Sequence, residues 1–275
     1  NRPQGLKPSR EIGTDNAPAV GVTPMAGFRL DAHVKILNDR VVERAKACGL
    51  DGLVYAPHFT RLPEIRARAE RFSDEELLVV PGREVFTGDW RNRKHVLAVG
   101  LSEPIPDFIT LEAAMAEFDR QDATVLVPHP EFATVSLKSH DIRAHRERIH
   151  GIEVYNPKHL DVHDDRAREL AAEFELPAFG SSYAHLTNTV GEVWTEFEKP
   201  LQTPDDVVDA LHEGATRSVY HRTGPEHQLR CLMEFSHLLY ENTWGKIDRI
   251  FLSGTEPTHP DHIAYDGRFD DVSVY

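Results

Sequence analysis

FRLDAHVKILND, residues 28–39, is the stretch that decides the fold. Phe28, Leu30, Ala32 and Val34 alternate with Arg29, Asp31, His33 and Lys35, the period of a β-strand with one apolar face. The strand carries an Asp and a His to its C-terminal end, and Asn38 or Asp39 then opens a helix. A strand that runs out into ligand-type side chains is how a barrel enzyme begins its site, because the C-terminal ends of parallel barrel strands share one face.

The same pattern continues downstream. Val41, Val42, Ala45 and Cys48 give one helix face, which Gly49 ends. A second strand at 53–55 stops at Pro57-His58, and Pro63 suits the first turn of a helix at 64–72. Strands follow at 77–86, carrying Glu84, and at 95–101, opened by His95. Thr110 caps a helix to 118, and a short strand at 124–127 runs into Pro128-His129-Pro130. After a polar helix rich in His and Arg come strands at 151–155 and 177–181 with a helix at 162–174 between them, then Tyr183-Ala184-His185. A strand at 190–197 and a helix from Thr203 to Gly214 complete the alternation. It predicts parallel βαβ units closed into an α/β barrel rather than a sandwich.

This reading divides the chain into a flexible N-terminal arm (1–27), a barrel (28–222), and a C-terminal helix and tail (223–275). Leu229, Leu232, Met233, Leu239 and Tyr240 form a stripe in that helix, expected to be buried on the barrel or on a second subunit. Asp and Glu outnumber Lys and Arg by 45 to 31, and the net charge of −14 argues against a general nucleic-acid binder. Cys48 and Cys231 are too few for a disulfide framework. No run is apolar enough for a membrane span, so a cytoplasmic protein is expected.

Five strands end in or near His33, His58, Glu84, His129 and His185, and His95 opens another. One His at a strand end is usually a hydrogen-bonded structural group; six such groups in register point to a divalent transition metal such as Zn, Mn or Fe. Arg83, Arg91 and Arg93 lie on or beside the connection between two of these strands and are candidates for binding substrate phosphate. His140, His145, His150, His159 and His163 lie off the strand ends and are read as solvated.

In order, these residues resemble the PHP (polymerase and histidinol phosphatase) superfamily of metal-dependent phosphoesterases, from about residue 29 to 220. Asp31-Ala32-His33-Val34-Lys35 follows that family's opening Asp-x-His-x-His except at the last position. Its Thr-Asp-His stands here as Ala56-Pro57-His58. Pro81-Gly82-Arg83-Glu84 is intact, with His95 eleven residues on, and His129-Pro130 ends the next strand. Gly-Ile-Glu-Val-Tyr-Asn is complete at 151–156. The closing Gly-Ser-Asp-Ala-His becomes Ser181-Ser182-Tyr183-Ala184-His185.

The resemblance implies a distorted (β/α)7 TIM-like barrel with three metal positions. One keeps His33 and Glu84 but has Lys35 and Tyr183 where two ligands are expected. A second keeps Glu84, His95 and His129. A third keeps His58 and His185, with Asp39 in the acidic place. It implies a metal-dependent hydrolase of phosphate esters, small phosphomonoesters or nucleotides, with fewer than three ions and with Glu84 and His33 central to catalysis. The rival is a catalytically silent barrel used for binding or assembly, which the substitutions favour. The partners expected are a small phosphorylated substrate and a homo-oligomer through the C-terminal helix, with no membrane and no general nucleic-acid partner. Lys35 lies two residues from His33, so both share a strand face. Its ammonium is expected to border the altered position and pair with Glu84.

Overall fold

The computed structural model describes residues 10–12, 27–89, 91–132, 135–240 and 257–274. In chain order the elements are β1 (Arg10–Ile12), β2 (Phe28–Val34), α1 (Asp39–Cys48), β3 (Gly52–Tyr55), α2 (Leu62–Phe72), β4 (Leu78–Thr87) and β5 (Lys94–Val99). They continue with α3 (Leu111–Arg120), β6 (Thr124–Val127), α4 (Ser139–Ala144), β7 (Gly151–Tyr155), α5 (Asp161–Glu173) and β8 (Ala178–Gly180). β9 (Val193–Phe197), α6 (Pro204–His212), β10 (Arg217–His221) and α7 (Pro225–Tyr240) follow. The sheet order is β1-β10-β9-β2-β3-β4-β5-β6-β7-β8. Seven consecutive strands, β2 to β8, curl into a nearly closed α/β barrel. The closing contacts lie just beyond β8, where Val34 bridges Ala184 and Lys35 N–H donates to Ala184 C=O at 3.0 Å.

Most neighbouring barrel strands are parallel, but β5 is antiparallel to both β4 and β6. The connection between β4 and β5 is too short for the crossover that parallel pairing needs. The reversal brings the start of β5, and so His95, to the end of the barrel where the other strands finish. The expectation of uniformly parallel units fails at β5, on which the site depends, and again at β9, which pairs antiparallel with β2.

The barrel interior is apolar below the mouth: Leu30, Ala32, Val54, Val80, Leu97, Leu126 and Phe179 pack together, with Val207 and Leu211 of α6 against them. Gly82 sits in this interior because a Cβ there would lie 2.6 Å from Val54 Cγ1. The register of β2 on β3 shifts between Asp31 and Val34. That irregularity breaks the simple alternation: Ala32 packs inside the barrel, while Val34 packs with Leu37, Val41 and Ala45 on the helix side. Helix ends follow the sequence signals. The Asn38 side chain accepts from Val41 N–H, Thr110 from Ala113 N–H and Thr203 from Asp206 N–H, and Gly49 leaves α1 at φ 76°.

Several expectations are corrected. Residues 10–12, placed in a flexible arm, pair with β10, a strand the sequence reading missed; the rest of that arm lies outside the described residues. Tail residues 257–274 pack on the barrel, with Tyr265 and Phe269 buried and Val274 N–H donating to Phe108 C=O at 3.0 Å. Most altered is α7. Leu229 and Leu232 are 58% and 60% exposed, whereas His227 and Glu234 are buried. The helix packs by its polar face, because the barrel rim offers it donors rather than apolar surface. The side chain of Leu239 lies outside the described residues. No helix among the described residues is long and apolar enough to cross a membrane.

Candidate metal centre

Glu84, fully buried near the end of β4, gathers the predicted residues around it. Its Oε1 lies 3.2 Å from His129 Nε2, 3.4 Å from His95 Nδ1 and 3.9 Å from His33 Nε2. Its Oε2 takes the Lys35 ammonium at 2.6 Å and lies 3.0 Å from His58 Nδ1, off the line of a good hydrogen bond. Lys35 also donates to Ala56 C=O at 2.7 Å. Tyr183 OH stands 3.5 Å from both carboxylate oxygens. The ion pair anticipated from the sequence is therefore present, in a setting where a lone carboxylate would be costly. His185 joins one step out, with Nε2 3.3 Å from His58 Nε2.

The donor set fits a cation at one place. Ligand atoms of Glu84, His95 and His129 lie within 4.8 Å of one another. Ser136 Oγ donates to Phe132 C=O at 2.5 Å, so at 3.0 Å it accepts from His129 Nδ1–H. Nε2 is therefore the ring nitrogen that His129 turns to the carboxylate, 3.2 Å from Glu84 Oε1, and the one a cation between them would take. Both ring nitrogens of His95 and of His33 are buried without a hydrogen-bond partner, which is costly unless a ligand is intended.

The electrostatics agree. Burial pushes the Glu84 carboxyl up, but Lys35 foremost, then the neighbouring imidazoles, outweigh it and hold it well below the usual carboxylate range. Burial, followed by Lys35, holds His33 well below its ordinary value and His58 at about 3. Burial likewise brings His95 down to about 4. Neutral imidazoles around an ionised carboxylate are the protonation states a metal needs. Backbone at the site is strained: His129 and Tyr183 hold φ values of 34° and 45°. His95 stacks on Phe86 at 3.8 Å, Phe86 meets Phe59 and Phe59 meets Phe108. Arg93 lies over Phe108 at 5.1 Å.

Three sequence candidates stand elsewhere. Asp39 is exposed in the first turn of α1, suited to the helix dipole rather than to the cluster. Arg83 points to the opposite face of β4 from Glu84, as alternation dictates, and is buried against Asp107 at 2.8 Å. It holds the barrel wall and does not face the mouth. Arg91 is exposed in the β4–β5 loop, its backbone N–H on Asp89 Oδ1 at 2.8 Å. His159, read as solvated, is buried on Asp164 at 2.9 Å.

Other residues were missed. Glu153 accepts His129 N–H at 2.7 Å and Ser181 Oγ–H; a Glu inside an apolar strand was the available signal. Lys158, buried, approaches His185 Nδ1 at 2.7 Å and lies over the Tyr183 ring at 4.2 Å. Glu234 of α7, fully buried, accepts the N–H groups of His185 and Leu186 at 2.9 Å each, and the Thr189 hydroxyl. Nothing in the local pattern marked Ser136 or Glu234. Lysine scarcity was a clue to Lys158, since Lys35, Lys94 and Lys158 of the chain's few lysines are all buried.

Comparison with known proteins supplies context. Residues 163–216 match the family described as PHP-associated. An uncharacterized protein of Methanocaldococcus jannaschii is 29% identical over 136 residues, 46% of this chain and 55% of that one. The chain thus spans about half the length of the curated relative it matches. PsfC from Pseudomonas syringae shares the fold at a TM-score of 0.57 and 19% identity, over 80% of this chain and 100% of that one. The lesion-specific endonuclease PfuEndoQ from Pyrococcus furiosus does so at 0.53 and 15%, over 70% and 57%. Endonuclease Q in complex with a 27-mer duplex carrying an abasic lesion at the active site aligns at 0.51 and 15%, over 70% and 58%. The expectation that nucleic acid is not a partner is overturned by these two: the same fold carries a DNA endonuclease, so an acidic chain-wide balance does not exclude such a substrate. Residues 163–216 thus match a PHP-associated family, and the barrel shares its fold with these solved structures.

Proposed function

We propose that the chain is a metal-dependent hydrolase of phosphate esters whose ion is held by Glu84, His95 and His129. The observation that carries this reading is the clustering of those three buried ligand atoms, with His129 Nε2 the ring nitrogen turned toward the carboxylate. An ion there would supply Lewis acidity and a positive centre for phosphate oxygens. His33 and His58 border the same carboxylate, and Lys35 supplies the charge where a second ion would sit. Arg93, beyond the aromatic run from His95, is the arginine best placed to bind substrate phosphate. The endonuclease neighbours bring phosphodiesters, nucleic acid included, into the substrate class beside small phosphomonoesters. The division into arm, barrel and C-terminal extension is kept, with residues 10–12 assigned to the barrel sheet. Two unpaired cysteines suit a cytoplasmic setting.

The rival reading, a silent barrel, has one observation of its own: Lys35 already neutralises Glu84 at 2.6 Å. Hydrolysis of p-nitrophenyl phosphate, bis-p-nitrophenyl phosphate and a DNA duplex with an abasic site, with Mn²⁺ or Zn²⁺ added, separates the two. The hydrolase reading expects metal-dependent turnover of one of them, lost in Glu84→Gln. Bound metal with no turnover on any of them favours the silent barrel.

A further inference from the structure

The two histidines of the proposed centre are held in different ways. His129 is oriented by a hydrogen bond between its Nδ1 and Ser136 Oγ at 3.0 Å, the usual means of fixing a metal-binding imidazole. His95 has no such bond, since neither of its ring nitrogens meets a hydrogen-bond partner. What sets its plane is the ring of Phe86, its cross-strand neighbour, stacked 3.8 Å away at 4°. Phe59 meets Phe86 edge-on at 4.7 Å and 80°, and itself stacks on Phe108 at 6.0 Å and 26°. Phe59 and Phe108 hold φ values of 49° and 61°. A bulky side chain in that region is strained, and the packing around it must keep it there.

For Phe108 that packing comes from the far end of the chain. Residues 107–110 lie between two backbones. On one side Phe108 N–H donates to Phe86 C=O at 2.6 Å, Gly88 N–H to Ile109 C=O at 2.8 Å, and Phe86 N–H to Asp107 Oδ1 at 2.8 Å. On the other side Asp107 N–H donates to Thr258 C=O at 2.8 Å, Thr110 N–H to Val272 C=O at 3.1 Å and Val274 N–H to Phe108 C=O at 3.0 Å, and Ile109 bridges Ser273. The His259 ring lies 6.0 Å from that of Phe108. Tyr265 and Phe269 are buried and fasten this tail, with Tyr265 OH donating to Ile105 C=O at 3.4 Å. Without the tail, the N–H groups of Asp107 and Thr110 lose these partners, and a buried stretch of backbone cannot hold its place unpaired.

We propose that the C-terminal tail positions the metal ligand His95. Phe108 is the positioning residue: the tail clamps it, and Phe59 and Phe86 pass its placement on to the imidazole. That the imidazole serves an ion rests on the metal centre proposed above; the contact path from the tail to His95 does not. The Phe108 ring also carries Arg93, whose guanidinium lies over it at 5.1 Å, so the clamp steadies the arginine assigned to substrate phosphate as well. A segment without a readable period in the sequence thereby works as part of the barrel mouth.

Three variants of the full chain test this. Phe108→Gly removes the ring, and glycine accepts the positive φ. Tyr265→Ala removes a fastening of the tail. Leu211→Ala, in α6 against the barrel interior, loosens the fold away from the mouth and is the control. The first readout needs no metal. In the metal-free parent the ring protons of His95 should resonate upfield of those of an exposed imidazole, under the face of Phe86. They should move back in Phe108→Gly and in Tyr265→Ala but not in the control. The second readout is Mn²⁺ affinity by isothermal titration of the folded proteins, expected to be about 10-fold weaker in the first two variants and unchanged in the control. His95 signals that are unshifted in the parent, or that keep their place in both variants, overturn the proposal. So does an equal weakening of Mn²⁺ binding in Leu211→Ala. A parent that binds no Mn²⁺ sinks the Glu84 centre, and the ring protons alone then decide whether the tail positions His95.

Discussion

At the scale of single residues the site is an argument about one carboxylate. Glu84 is ionised, buried and bordered by His33, His58 and His95, whose burial keeps them neutral, so its stability rests on Lys35 until a metal arrives. Lys35→Met should therefore destabilise the metal-free protein by about 3–5 kcal/mol, the cost of stranding one partner of a buried pair. Zinc should recover part of that loss, since a cation that binds only the folded state stabilises by mass action. Urea unfolding with and without zinc reads both; a variant as stable as the parent, or one that zinc does not help, contradicts the account. Ser136→Ala removes the acceptor that orients His129 and should weaken metal binding by about 10- to 100-fold with little change in fold, read by isothermal titration of Mn²⁺. The six strand-end residues were legible because barrel geometry converts position in a strand into position in space. Arg83 was misread because the strand parity that points Glu84 inward points its neighbour outward. Ser136 was illegible because loops have no period to read, and Lys158 was marked only by the scarcity of lysine.

At the scale of elements, α7 inverts the usual rule. Its apolar stripe suggested burial, yet its buried face carries His227 and Glu234, satisfied by Glu192 and by the loop after β8. A stripe shows amphipathicity; it does not show which face finds partners. Glu234→Ala should cost about 2–4 kcal/mol, because it strands two backbone N–H groups and a hydroxyl. Leu232→Glu should stay within about 0.5 kcal/mol. Denaturant midpoints that rank the two the other way would show α7 docked by its apolar face. The start of β7 gives a pH prediction. His150 Nδ1 accepts Val125 N–H at 3.0 Å and its ring stacks on His212 at 4.0 Å. Burial, then His212, lowers His150 from 6.5 to about 4. The folded state thus needs the neutral ring: its contribution is whole above pH 6.5 and is lost as pH falls toward 4. His150 is only half-buried, so the loss after solvent screening is about 1–2 kcal/mol. His150→Gln should flatten the stability profile between pH 6.5 and 4; an unchanged slope would locate the acid sensitivity elsewhere.

At the scale of the whole molecule, the alternation of strand and helix was enough to predict the barrel, and the ordered motifs its seven-stranded form. The reversed β5 was also there to be read, since the short connection before it leaves no room for a parallel crossover, whereas β10, which pairs β1 with the sheet, was missed. Net charge misled on partners: a sum over 275 residues says nothing about a mouth that holds two ammoniums inside an acidic shell. The central claim is that this mouth holds an ion on Glu84, His95 and His129. Anomalous diffraction from a crystal grown with Mn²⁺ tests it most directly. The account predicts one strong peak bonded to those three side chains, with Lys35 still on Glu84. It is contradicted if that position stays empty at saturating metal, or if the ion sits between His33 and Glu84 with Lys35 turned away.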